Sequence, residues 1–132
     1  MKNLFLDLFE NNSSYEEIFK LMNDNLISIT GLTDTAKPHF LYGIFEKTNK
    51  NLLIVAKNEA YVKKLSEMLS FFNINAYIFW EREFNFYNID AKSQELFFSR
   101  INTLNRVIKE DAGVYITTFD ALTQPVISKS NL

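Results

Sequence analysis

Gly31 and Lys37 occupy the first and seventh positions of the run Gly31-Leu32-Thr33-Asp34-Thr35-Ala36-Lys37-Pro38. That spacing is the outline of a phosphate-binding loop, GxxxxGK[ST]. In a working loop, backbone N–H groups and the Lys wrap the phosphates while the Ser/Thr hydroxyl holds Mg²⁺. Here the chemistry is missing. Pro38 stands in place of Ser/Thr and removes both the hydroxyl and an N–H donor. Ala36 replaces the second glycine, so a side chain intrudes where phosphate would approach the backbone most closely. Asp34 adds a like charge, a penalty of about 1–4 kcal/mol per phosphate charge at partly screened dielectric. A plain strand-to-helix turn accounts for Gly31 and Pro38 equally well, since proline is welcome in a first helical turn. Either way, nucleotide binding is not expected, and no cofactor is implied.

The other chemistry-bearing residues point the same way. His39 is the only histidine, and there is no cysteine, so no second soft ligand exists to share a metal; a surface or capping role is expected. Glu81, Glu83 and Asp90 flank Trp80 and Phe86 in a stretch without periodicity. Such scattered acids read as a solvated turn over aromatic anchors, not as a general acid–base pair. Trp80, Phe84, Phe86 and Tyr87 are then candidates for an interface. Arg100 lies near Glu95 and Glu110 in sequence and is expected to pair with a carboxylate inside the fold. Tyr15, Tyr61 and Tyr115 fall at ordinary helix or strand spacings, with no base to activate them.

Composition sets the outer limits. The chain has 132 residues, 47% hydrophobic, with 13 Phe, enough for one core. Its formal net charge is −2, from 14 basic and 16 acidic residues. The longest basic cluster is Lys63-Lys64, which excludes the electrostatic footprint of an autonomous DNA-binding module. Lacking cysteine and a secretory signal, the sequence reads as a cytoplasmic protein. No apolar run approaches the ~20 residues a membrane helix needs, so no membrane partner is expected.

Alternating elements must position these residues. Leu4 to Phe9 and Tyr15 to Met22 read as helices, the second with Ser14 as cap and Glu16-Glu17 in its first turn. Leu26 to Thr30 reads as a first strand. A helix follows from His39 to Lys47 with Phe40, Leu41, Ile44 and Phe45 as its core stripe. Asn51 to Ala56 is a second strand, and Asn58 caps a helix carrying Tyr61, Val62, Leu65, Met68, Leu69 and Phe72. Asn75 to Phe79 is a third strand, with irregular chain from Trp80 to Ala91. Ser93 to Lys109 is helical, Gly113 to Thr117 is a fourth strand, and Asp120-Ala121-Leu122 opens a turn. Strands and helices alternating at this spacing argue for a parallel sheet covered on both faces, because parallel neighbours need crossover helices. The apolar pattern alone does not separate a nucleotide-binding core from a flavodoxin-like one.

Several runs together resemble the N-terminal end of the bacterial transcription-repair coupling factor. They are Thr30 to Lys37; Leu53-Ile54-Val55 with Asn58; Phe79-Trp80-Glu81-Arg82-Glu83-Phe84-Asn85-Phe86-Tyr87; Ser93-Gln94-Glu95; Arg100-Ile101-Asn102-Thr103-Leu104; and Val114-Tyr115-Ile116-Thr117-Thr118 with Ala121-Leu122. The likeness covers about residues 25 to 125, in order and with matching spacings. Gln94 stands where that family usually has Pro, and Phe84-Asn85-Phe86 replaces a common Leu-Ile/Leu-Pro.

The resemblance implies an α/β fold with a parallel sheet of about four strands flanked by helices. Its kind would be P-loop NTPase or RecA-like, similar to domain 1a of UvrB, with a degenerate nucleotide site at Gly31, Asp34, Ala36, Lys37 and Pro38. Residues 1–24 would be an N-terminal helical segment, 25–125 the UvrB-like subdomain and 126–132 the start of a linker to the next domain. By the same resemblance the module is non-catalytic. It would help recruit UvrA, mainly through an adjacent domain, and restrain an ATP-driven DNA translocase whose motor, RNA-polymerase contact and DNA contact lie downstream. A functional P-loop NTPase or helicase domain, or an unrelated flavodoxin-like binding module, are the alternative readings.

Overall fold

The computed structural model describes residues 7, 13–22, 26–82, 91–109, 112–126 and 128. Contacts divide the chain into two compact units, Met1–Thr48 and Asn49–Leu132, a different place from the border drawn on the sequence at residue 25. Each is taken by itself.

The first unit is helical. Helix α1 spans Ser13–Leu21 and helix α2 spans Ala36–Thr48. They meet through aromatic rings: Tyr15 lies 5.6 Å from Phe40 between centroids, and Lys47 Nζ sits 4.9 Å from the Phe19 centroid. Tyr15 is thus a packing residue. Phe40, Tyr42 and Ile44 are buried. The expected helix at Leu4 to Phe9 lies outside the described residues apart from Asp7, which is helical. Leu26 to Thr30, expected as a strand, forms none, and Leu26 is fully exposed. The physical reason is that a strand's hydrogen bonds come from a neighbour, and no described strand pairs with this run.

The second unit is α/β. Strand β1 (Leu52–Ala56), helix α3 (Glu59–Ser70), strand β2 (Tyr77–Phe79), helix α4 (Ala91–Ile108), strand β3 (Val114–Thr118) and the short helix α5 (Phe119–Thr123) follow one another. The sheet is parallel with order β1-β3-β2, so three strands stand among the described residues where about four were expected. Asn51 fastens its start: the side-chain Oδ1 accepts the Gly113 N–H at 3.0 Å, beside the bond from Leu52 N–H to the Gly113 carbonyl at 2.9 Å.

Local signals explain the helix borders. Asn58, extended, caps α3 by accepting the Tyr61 N–H at 2.9 Å, as the sequence predicted. The helix closes when Ile74 N–H bonds the Leu69 carbonyl and Asn73 N–H the Ser70 carbonyl. Asn73 is left-handed at φ 59, the geometry of a Schellman turn with Asn in the place glycine usually takes. Thr118 caps α5 through the Ala121 N–H at 3.2 Å.

The connections run in opposite directions across the sheet, so right-handed crossovers put α3 and α4 on opposite faces. In register, Ile54, Ile116 and Ile78 form one row, on the face that α3 covers with Val62, Leu65 and Leu69. Helix α4 covers the other face over β2, where Arg106 stacks 4.4 Å from the Tyr77 centroid and Arg100 3.9 Å from that of Phe79. On that face β1 is left open: Leu53 is 58% exposed. No described helix is long and apolar enough to cross a membrane.

Candidate functional site

In the first unit, Gly31 to Pro38 forms a helix-capping turn. Gly31 has φ +84, which glycine adopts without strain. Thr33 then does the capping. Its Oγ1 accepts the Ala36 N–H at 3.2 Å, and its carbonyl accepts the N–H groups of Ala36 and Lys37, both at 3.1 Å. Those amides would have to face an anion in a phosphate loop, and here they face Thr33. Lys37 Nζ lies 3.1 Å from Asp34 Oδ1 in an exposed pair. Pro38 follows, buried, and can supply no further amide. His39 is half-buried on α2. Among the described residues no group of three or more His, Asp or Glu side chains could hold a metal ion.

In the second unit, polar side chains gather at the carboxyl end of the sheet. Arg100 and Thr103 lie one turn apart on α4 and reach the carbonyls of alternate residues just along β2. Arg100 Nη1 donates to the Trp80 carbonyl, and Thr103 Oγ1 reaches that of Ile78 at 3.1 Å. This helix thereby occupies part of a strand edge that would otherwise invite pairing. Gln124, one residue beyond α5, ties the chain leaving β2 to the same place. Its Oε1 accepts the Arg82 N–H at 2.6 Å and lies 3.4 Å from Arg100 Nη1. Its Nε2 donates to Glu81 Oε1 at 3.3 Å and to the Arg82 carbonyl at 3.4 Å.

Arg100 was expected to meet a carboxylate such as Glu95. Among the described residues its hydrogen bonds go instead to the two carbonyl oxygens just named, and its guanidinium plane rests on Phe79. Burial pushes its pKa down, the like charge of Arg82 pushes it further, and Glu81 opposes them. Trp80 is half-buried with Lys63 Nζ 5.5 Å from its ring centroid. Phe84, Phe86 and Tyr87, like Glu83, Asp90 and Glu110, lie outside the described residues. Gln124 was not foreseen: its partners lie from 24 to 43 residues away in sequence, and only its place beside Pro125 after a predicted turn set it apart.

Fold and sites together define an open parallel α/β unit joined to a helical one whose phosphate-loop outline is occupied by a helix cap. Compared with protein-family models, with curated proteins and with solved structures, the chain finds no match.

Proposed function

We propose that the chain is a non-catalytic, UvrB-like module of a transcription-repair coupling factor, a cytoplasmic scaffold that helps recruit UvrA and restrains a translocase motor carried elsewhere in the polypeptide. The observation that carries this reading is the Thr33 cap at 31–38, because it spends on the helix the amides that a nucleotide would need. The ordered runs over residues 25 to 125 and the parallel sheet agree with it. RNA polymerase and DNA are contacts of other domains in this reading, consistent with a net charge of −2.

The partner half is tested by capturing UvrA on this chain and on the same chain extended through the complete UvrB-like module. Strong capture by the longer protein and weak capture by this one is the expected result. Equal capture would place the binding surface within residues 1–132, and none by either would remove UvrA from the proposal.

The alternative of a working NTPase is tested separately. Calorimetric titration with Mg-ATP is expected to give no heat, since the loop offers neither a magnesium-binding hydroxyl nor a complete ring of donors. Binding in the micromolar range would overturn the non-catalytic reading. Restoring Ala36→Gly and Pro38→Thr is not expected to bring hydrolysis, because Asp34 remains and still pairs with Lys37.

A further inference from the structure

The two edges of the sheet are not finished alike. Beyond β2, Thr103 and Arg100 take the carbonyls of Ile78 and Trp80. Beyond β1 no described strand follows. Its sequence, Leu52-Leu53-Ile54-Val55-Ala56, carries no charge and no proline, the devices that usually keep an edge from pairing. Val55 is 50% exposed, and Leu53 lies open beside it on the same face.

The ladder fixes which groups this edge offers. Leu52 donates its N–H to the Gly113 carbonyl, so Leu52, Ile54 and Ala56 bond towards β3, and the N–H and C=O groups of Leu53 and Val55 point outward. Two outward residues flanking one inward residue make a pattern complementary to itself. Turned about a two-fold axis through Ile54, perpendicular to the sheet, a second β1 sets Leu53 opposite Val55 and Val55 opposite Leu53. Each such pair exchanges two hydrogen bonds. The same rotation keeps α3 of both copies on one face and gathers Leu53 and Val55 of both on the other, as aliphatic cross-strand pairs. Lys57 then falls opposite Asn51 and Lys50 opposite Asn58, so no like charges meet directly.

We infer that β1 is a self-pairing edge: two copies of the chain join antiparallel through Leu52–Ala56, continuing each three-stranded sheet into one of six strands. An isologous contact of this kind closes as a dimer, and the other edge of each copy is held by Thr103 and Arg100. Four main-chain bonds and four aliphatic side chains make an interface below the ~1,200 Å² of stable complexes, so a dissociation constant on the order of 100 μM is expected. The pairing is independent of the coupling-factor reading.

The test uses the full chain, 15.5 kDa, in sedimentation equilibrium. Its average mass is expected to rise with concentration and to approach twice that value at about 1 mM. Val55→Pro leaves the ladder to β3 intact, because the N–H it removes faces outward, and is expected to weaken association about tenfold or more. The chain has no cysteine, so the register can be read by disulfide trapping even if that variant does not fold. Leu53→Cys mixed with Val55→Cys is expected to give several-fold more cross-linked dimer than either alone. The mixed pair stands about 5.5 Å apart at Cα, whereas like positions meet only diagonally at ~7–8 Å. A single-chain mass at every concentration, a folded Val55→Pro variant that associates unchanged, or equal cross-linking in the mixture and in each variant alone would overturn the proposal and leave the edge to a different strand.

Discussion

Ile116→Ala is expected to destabilise the α/β unit by about 2–5 kcal/mol, the range for truncating a fully buried aliphatic side chain. Ile116 is 0% exposed and sits on the central strand between Ile54 and Ile78. Helix α3 lies over that row, so the deleted atoms leave a cavity that neighbours on three sides cannot collapse to fill. A small domain holds only about 5–15 kcal/mol in all, so the variant should be close to unfolding. Leu53→Ala is the control. It lies on the same sheet but the opposite face, 58% exposed, and should cost about 0.5 kcal/mol or less. Urea unfolding followed by circular dichroism, with unchanged slope, measures both. Equal losses would mean that the two faces of β1 and β3 are not covered as described.

The elements legible in the sequence are those whose stabilising contacts are local. Asn58 announces α3 because a cap bonds an amide three residues on, and Val62, Leu65 and Leu69 recur at helical spacing along one buried face. Strand β3 is legible because a central parallel strand, buried on both sides, draws β-branched and aromatic residues without a break, as Val114 to Thr118 do. Leu26 to Thr30 misleads for the converse reason. An apolar run states that its side chains prefer to be buried, but it says nothing of a partner strand, and strand hydrogen bonds need one. The 31–38 turn was half legible: the faults in the phosphate pattern are visible as residue types, whereas the part Thr33 plays depends on backbone geometry. Arg100 was placed inside the fold correctly but given the wrong kind of partner. Glu95 is near it in sequence, yet Trp80 and Gln124, 20 and 24 residues away, are what the topology brings to its guanidinium.

Arg100→Ala and Arg100→Met are expected to diverge, and the divergence reports whether the guanidinium is compensated in the free chain. Alanine removes the stem that packs on Phe79, opens a cavity, and withdraws the donor from the Trp80 carbonyl and Gln124 Oε1; a loss of about 3–5 kcal/mol follows. Methionine keeps an unbranched stem of similar reach and gives up the charge. It still costs the Trp80 carbonyl its donor, about 1–3 kcal/mol. Against that it relieves a buried charge that makes no direct ion pair among the described residues, Glu81 acting on it only from further off, and replacing buried charges by apolar side chains of like volume is often neutral or stabilising. The methionine variant should therefore lie within about 1 kcal/mol of the unaltered chain and well above the alanine variant, as read from urea midpoints. If methionine proves as damaging as alanine, the guanidinium is a net stabiliser of the chain through its bonds to the Trp80 carbonyl and Gln124. If it is tolerated, then the stem resting on Phe79 is what stabilises the unit at this position, and the charge is not.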